Sequence, residues 1–127
     1  MSERRDADLV ADISDAARRI EEYIRGMTFE EFEKDTKTQD AVVRNIEIVG
    51  EAVKRLSSGF KRRHSEVPWK QMAAMRDVII HRYFGAALDI VWRVATKDLP
   101  EAITHLEKAE VGAARGHENS GDLARLK

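Results

Sequence analysis

One short segment, Met75-Arg76-Asp77-Val78-Ile79-Ile80-His81-Arg82-Tyr83-Phe84, sets two guanidiniums, a carboxylate, an imidazole and a phenol within eight residues of an otherwise apolar stretch. These groups suit proton transfer beside a bound anion. The imidazole of His81 titrates near neutral pH, and Arg76 offers a planar fork of donors to phosphate oxygens. On a helix turning about 100° per residue, Asp77 and His81 share a face, where the carboxylate can orient the ring and raise its pKa. Arg76 and Tyr83 share another face, with the Arg about 140° from His81. The two pairs do not converge on a regular helix. Convergence requires the long Arg side chain to reach round, a distortion near the helix end, or a partner subunit. On the residues alone two readings stay open: a reacting site, or a helix C-terminus whose cations suit the macrodipole and whose Tyr simply packs.

Elsewhere the chemistry is thin. The four histidines, His64, His81, His105 and His117, show no metal-ligand spacing, so no metal site is expected, and nothing points to a cofactor. There is no glycine-rich phosphate loop and no nucleophile elbow. The absence of cysteine excludes a disulfide scaffold and thiolate sites, and a reducing cytoplasm is the expected location. No apolar run approaches the roughly 20 residues that span a bilayer, so no membrane association is expected. With 22 basic and 23 acidic residues the net charge is −1, which argues against a general nucleic-acid coat protein. The distribution is uneven: Lys54 to Arg82 holds eight basic residues against two acidic ones. Such a segment can present an anion-binding face. Lys61, Arg62, Arg63 and Arg82 are its candidates for RNA phosphate contacts, against the plainer reading of a solvated helix end.

The elements that must position these groups are all helical. Two prolines and seven glycines punctuate a chain whose apolar residues recur three or four apart. The pattern predicts a first helix from about Asp6 to Arg25, stopped by Gly26, and a short second helix opened by a Thr28–Glu31 capping box. A long third helix runs from about Thr38 to Ser57, with Gly59 at its end. Residues 58–67 read as a polar, basic loop, and Pro68 opens a fourth helix running to about Tyr83. Gly85 marks a break before a fifth helix with Leu88, Val91, Trp92 and Ala95. A second capping box, Asp98–Glu101, opens a sixth with Ile103, Leu106 and Ala109. Trp69, Trp92, Met72 and Met75 read as core. The expectation is one all-α domain over residues 1–111, an antiparallel bundle of four main helices plus short ones, followed by a disordered tail over 112–127. Val43, Ile48, Val78 and Ile80 widen the apolar stripes beyond what a small bundle needs, which suggests a second copy as partner.

The Arg76-x4-His81-x-Tyr83 string resembles the motif of the HepT-like toxins in the HEPN ribonuclease superfamily. Tyr23, Gly50-Glu51-Ala52, Pro68-Trp69 and Asp98-Leu99-Pro100 match the same family in the same order. The resemblance covers about Asp6 to Leu106. It implies a metal-independent endoribonuclease of a toxin–antitoxin system, working as a homodimer with the motif helices facing across a cleft. Arg76, His81 and Asp77 would be catalytic, with Glu51 in support. The RNA's own 2′-hydroxyl would be the nucleophile, so DNA would not be cut. It further implies a cognate MntA-like nucleotidyltransferase antitoxin that transfers AMP to Tyr83. The alternative is a non-catalytic nucleotide-binding or scaffolding partner of such a transferase.

Overall fold

Caps decide where the helices begin and end. The computed structural model describes residues 2–82 and 88–109, in which α1 spans Ser2–Ile24, α2 Phe29–Glu33, α3 Thr36–Arg55, α4 Ser58–Arg63, α5 Trp69–Arg82 and α6 Leu88–Arg93. A π turn, Val94–Asp98, joins α6 to α7 (99–109). Gly26 adopts φ +74°, the left-handed conformation that a glycine just past a helix end takes without strain. The Thr28 box forms as expected: the Glu31 N–H donates to Thr28 Oγ1 and the Thr28 N–H donates to Glu31 Oε1. The Thr38 N–H and hydroxyl both donate to Asp35, which opens α3 two residues earlier than the apolar pattern suggests and holds the Asp35 carboxyl below its ordinary pKa.

Further boundaries depart from the sequence reading, and α1 begins at Ser2, ahead of the expected Asp6. Residues 58–63 are helical rather than loop, because Ser57 accepts the Phe60 N–H and caps α4. Gly59 therefore lies inside α4, and α3 ends at Arg55. No capping box opens a separate helix at Asp98, whose carboxylate instead stands 3.6 Å from Arg93 Nε. The chain passes Pro100 without a break. A proline has no N–H for the carbonyl four residues back, and the wider π turn just before it, in which the Leu99 N–H reaches Val94 O, absorbs that loss. The Gly85 break and the 112–127 tail lie outside the described residues.

The core is one cluster drawn from every main helix. Leu9, Ile13, Ala16 and Ile20 of α1 and Val42, Ile46, Val49 and Val53 of α3 are buried at three- and four-residue spacing, and Met72, Met75 and Ile79 do the same on α5. Val91, Leu99, Ala102 and Leu106 complete it from the C-terminal helices. Phe32 is fully buried, its ring 5.1 Å from that of Trp92, and Trp69 is buried too. This is the all-α bundle expected. Val43 is already buried within the chain, Ile48 packs against the core but stays partly exposed, and the Val78 and Ile80 side chains lie outside the described residues. Among the described residues no helix is long and apolar enough to cross a membrane.

Three polar ties fix the frame around α3. Arg19 Nε of α1 donates to Asn45 Oδ1 at 2.8 Å. Gln39 Nε2 donates to the carbonyls of Phe32 and Glu33, satisfying the end of α2. Asp6, almost fully buried, accepts the Ser57 N–H at 2.9 Å and the Ser57 hydroxyl at 2.6 Å, pinning α1 to the α3–α4 junction. Burial alone raises the Asp6 pKa, but the two Ser57 bonds and the Arg63 and Arg5 charges outweigh it and leave it lowered. A depressed carboxyl stabilises the fold above its unfolded value and ceases to do so as pH falls through the folded one. Asp6→Asn should therefore destabilise the protein by about 1–3 kcal/mol at pH 7 in urea denaturation. The gap to the parent should close as pH drops below the ordinary carboxylate range; a constant gap would show that the Asp6 charge contributes nothing.

Candidate functional site

The site grows from the contact between α3 and α5. On α5 the apolar face is Met72, Met75 and Ile79, and Arg76 stands at its edge, half-buried against α3. The residue it meets is Gly50. A Cβ placed on Gly50 would lie 2.5 Å from Arg76 Cβ, 3.2 Å from Cδ and 3.4 Å from Cγ. No pair of real Cβ atoms approaches so closely, so only glycine admits α5 at this distance. The aliphatic stem of Arg76 then runs over the α3 backbone, and its Nε is buried with no hydrogen-bond partner among the described residues. A desolvated, unpaired polar nitrogen costs about 1–3 kcal/mol, so its retention calls for an explanation outside stability.

Asp77, next on α5, is about half exposed and its carboxylate stands 3.3 Å from Lys54 Nζ of α3. Gly50 and Lys54 are one helical turn apart, so a single strip of α3 seats both Arg76 and Asp77. Lys54 was not singled out in the sequence: its partner lies 23 residues away, and nothing local signals the pair. Glu51 is exposed, and among the described residues no bond joins it to Arg76. His81 and Arg82 occupy the last turn of α5 with side chains outside the description, and Tyr83 lies outside the described residues. The structure thus brings Arg76 and Asp77 together on α3.

The basic run divides. Lys61 Nζ donates to the Val53 carbonyl at 3.4 Å, near the end of α3, where a cation complements the helix dipole. Arg63 is exposed but contributes its charge to the buried Asp6. Arg62 is exposed in the last turn of α4. His64 stacks on Phe60 at 4.6 Å and is mostly covered. Its carbonyl and that of Lys61 both accept from Trp69 Nε1, tying α4 to the start of α5. Among the described residues no three His, Asp or Glu side chains gather closely enough to hold a metal ion.

An all-α bundle carrying an arginine and, five residues later on the same helix, a histidine is consistent with a HEPN-like fold. The chain belongs to the HepT-like ribonuclease family, whose model matches residues 13–109. It is 46% identical over 101 residues to a Thermococcus cleftensis protein named as a probable ribonuclease HepT, covering 80% of this chain and 92% of the relative. A Methanocaldococcus jannaschii protein provisionally named an RNase is 43% identical over 97 residues, covering 76% of this chain and 80% of the relative. Another with a provisional RNase name, from Caldanaerobacter subterraneus, is 49% identical over 80 residues, covering 63% of this chain and 71% of the relative. No solved structure matches the chain significantly.

The buried, unpaired nitrogen makes a stability prediction. Arg76→Met keeps the length of the stem and removes the orphaned donor, so the variant should be at least as stable as the parent, by up to about 1–2 kcal/mol in chemical denaturation. A loss of more than about 1 kcal/mol would mean that the guanidinium has stabilising partners in the free protein.

Proposed function

We propose that this chain is an endoribonuclease that cleaves RNA through the RNA's own 2′-hydroxyl, without a metal ion, as the toxin of a prokaryotic toxin–antitoxin pair. The observation that carries the reading is the seating of Arg76: a guanidinium stem locked against Gly50, within the matched span of a ribonuclease family, five residues before a histidine on the same helix. In the proposed reaction His81 accepts the 2′-hydroxyl proton or protonates the leaving oxygen. The 2′-oxygen bonds to phosphorus, the bond from phosphorus to the 5′-oxygen breaks, and a cyclic phosphate and a 5′-hydroxyl result. Arg76 neutralises the extra charge on the pentacoordinate phosphorus. Asp77 orients His81 from one turn earlier while also pairing with Lys54. Arg62 and Arg82 assist with flanking phosphates, Lys61 and Arg63 being engaged within the fold, and Glu51 supports the site from α3.

A homodimer completes this reading. Arg76 and His81 stand about 140° apart on a regular helix, so two motif helices face to face would let one chain's Arg serve beside the partner chain's His. Regulation follows from Tyr83. A cognate nucleotidyltransferase antitoxin would join the Tyr83 oxygen to the α-phosphorus of ATP, with pyrophosphate leaving. The new phosphodiester anion would then compete with RNA for the same cation.

Two measurements test this. His81→Ala should lower RNA cleavage in excess EDTA by about 10²–10⁴-fold. The parent's products should end in cyclic phosphate, and a 2′-deoxy residue at the cleavage point should block the reaction. Undiminished cleavage by the variant, or none by the parent, removes the nuclease reading and leaves the non-catalytic partner of a transferase. In the second, intact mass after incubation with the neighbouring nucleotidyltransferase and ATP should rise by one AMP in the parent and stay unchanged in Tyr83→Phe. An unshifted parent mass removes the modification claim.

A further inference from the structure

We propose that Gly50 is a positioning residue for cleavage: the missing side chain on α3 fixes where the Arg76 guanidinium stands, and so sets the geometry of the phosphate contact. The inference rests on the reading of Arg76 as the phosphate-binding cation. The structural basis is independent of that reading. The nearest atom to a built Gly50 Cβ is Arg76 Cβ at 2.5 Å, which belongs to the rigid base of the side chain. A flexible side-chain tip would swing aside; a Cβ moves only with its helix. Adding one methyl group at position 50 therefore shifts α5 against α3 by about an ångström, if the contact is to relax to ordinary van der Waals distance.

That shift carries specific consequences. With Nε buried and the stem laid against Gly50, the terminal nitrogens are the donors left for a phosphate to meet. Moving α5 away uncovers Nε and frees the Arg stem to take other rotamers. Displacements of this size at a reacting centre are worth up to about 10²-fold in rate. The neighbouring Lys54–Asp77 pair spans the same contact with long, half-exposed side chains that tolerate such a movement. The effect falls on Arg76 first.

A double-mutant cycle tests the claim, with each variant's thermal midpoint recorded alongside its kinetics. Gly50→Ala should lower kcat about 10- to 100-fold with KM within about threefold, because the lost contact is one made to the transition state. In the Arg76→Ala background the same substitution should lower kcat several-fold less than in the parent, since the group it displaces most directly is already gone and only the shift of His81 with α5 remains. Its effect on the thermal midpoint should be equal in both backgrounds. Equal kcat losses in both backgrounds would make Gly50 a packing residue and overturn the inference. Full activity of Arg76→Ala alone would instead overturn the reading of Arg76. A second measurement needs no change at Gly50. In the parent, the Arg76 Nε–H resonance, identified by its absence in Arg76→Lys, should exchange with solvent at least about tenfold more slowly than that of exposed Arg18. Equal exchange would show that the guanidinium is not seated on α3, and would overturn the inference even if Gly50→Ala does not fold.

Discussion

At Gly50 two helices meet with no α3 side chain between them, and the rest of the structure is arranged around that approach. Helix axes ordinarily stand 8–10 Å apart, at a distance set by the side chains at the contact. Here one of those side chains is a hydrogen atom and the other is an arginine, a residue whose free rotamers carry about 2 kcal/mol of entropy. Laying the stem of Arg76 along α3 removes much of that freedom before any ligand arrives. The buried Nε is the other side of the arrangement: it loses water and gains no partner among the described residues. A fold selected for stability alone would place an aliphatic residue there. The preorganised cation and its energetic penalty are one feature, and the remaining core of α3, from Val42 to Val53, supplies the stability that offsets it.

For the penalty to be held in place, α3 and α5 must not slide. The polar ties are located where sliding would begin. Asn45 engages Arg19 in the middle of α3, while Gln39 closes its start against α2 and Asp6 grips Ser57 just past its end. The start of α5 is anchored by Trp69, whose indole N–H reaches two carbonyls at the end of α4. Each tie joins two elements through a buried or half-buried bond, the kind whose loss leaves a polar group stranded. The helix carrying Arg76 and His81 is thus indexed at its first residue and at its contact with Gly50.

Much of this was legible in the sequence, and what was not has identifiable physical causes. Gly26, the Thr28–Glu31 box and the apolar spacing of α1 and α3 are local signals, and the structure follows them. α4 is not legible in the sequence because its cap, Ser57, looks like any polar residue until Asp6 is brought to it from 51 positions away. The Asp98–Glu101 box was a true local pattern overridden by a π turn, since Leu99 and Leu106 are better buried by continuing the helix past Pro100 than by ending it. At the site, the residue types of Arg76 and Asp77 were evident, but Lys54 was not. Gly50 was visible as a glycine in a long helix, where a glycine costs about 1 kcal/mol relative to alanine. The sequence could not say which side chain it makes room for.

The basic segment shows how far a charge count can mislead. Eight cations between Lys54 and Arg82 suggest a broad anion-binding face, yet the structure assigns several of them to the protein itself. Lys54 neutralises Asp77, Lys61 donates to the Val53 carbonyl near the end of α3, and Arg63 lends its field to a buried carboxylate. A cation already paired within the fold releases few counterions when a phosphate replaces its partner, so it adds little to the salt dependence of binding. On the proposed reading, RNA contact then narrows toward Arg76 and exposed cations such as Arg62 and Lys70. A narrow contact places the weight of recognition on the position of one guanidinium, which is the quantity that the glycine on α3 controls.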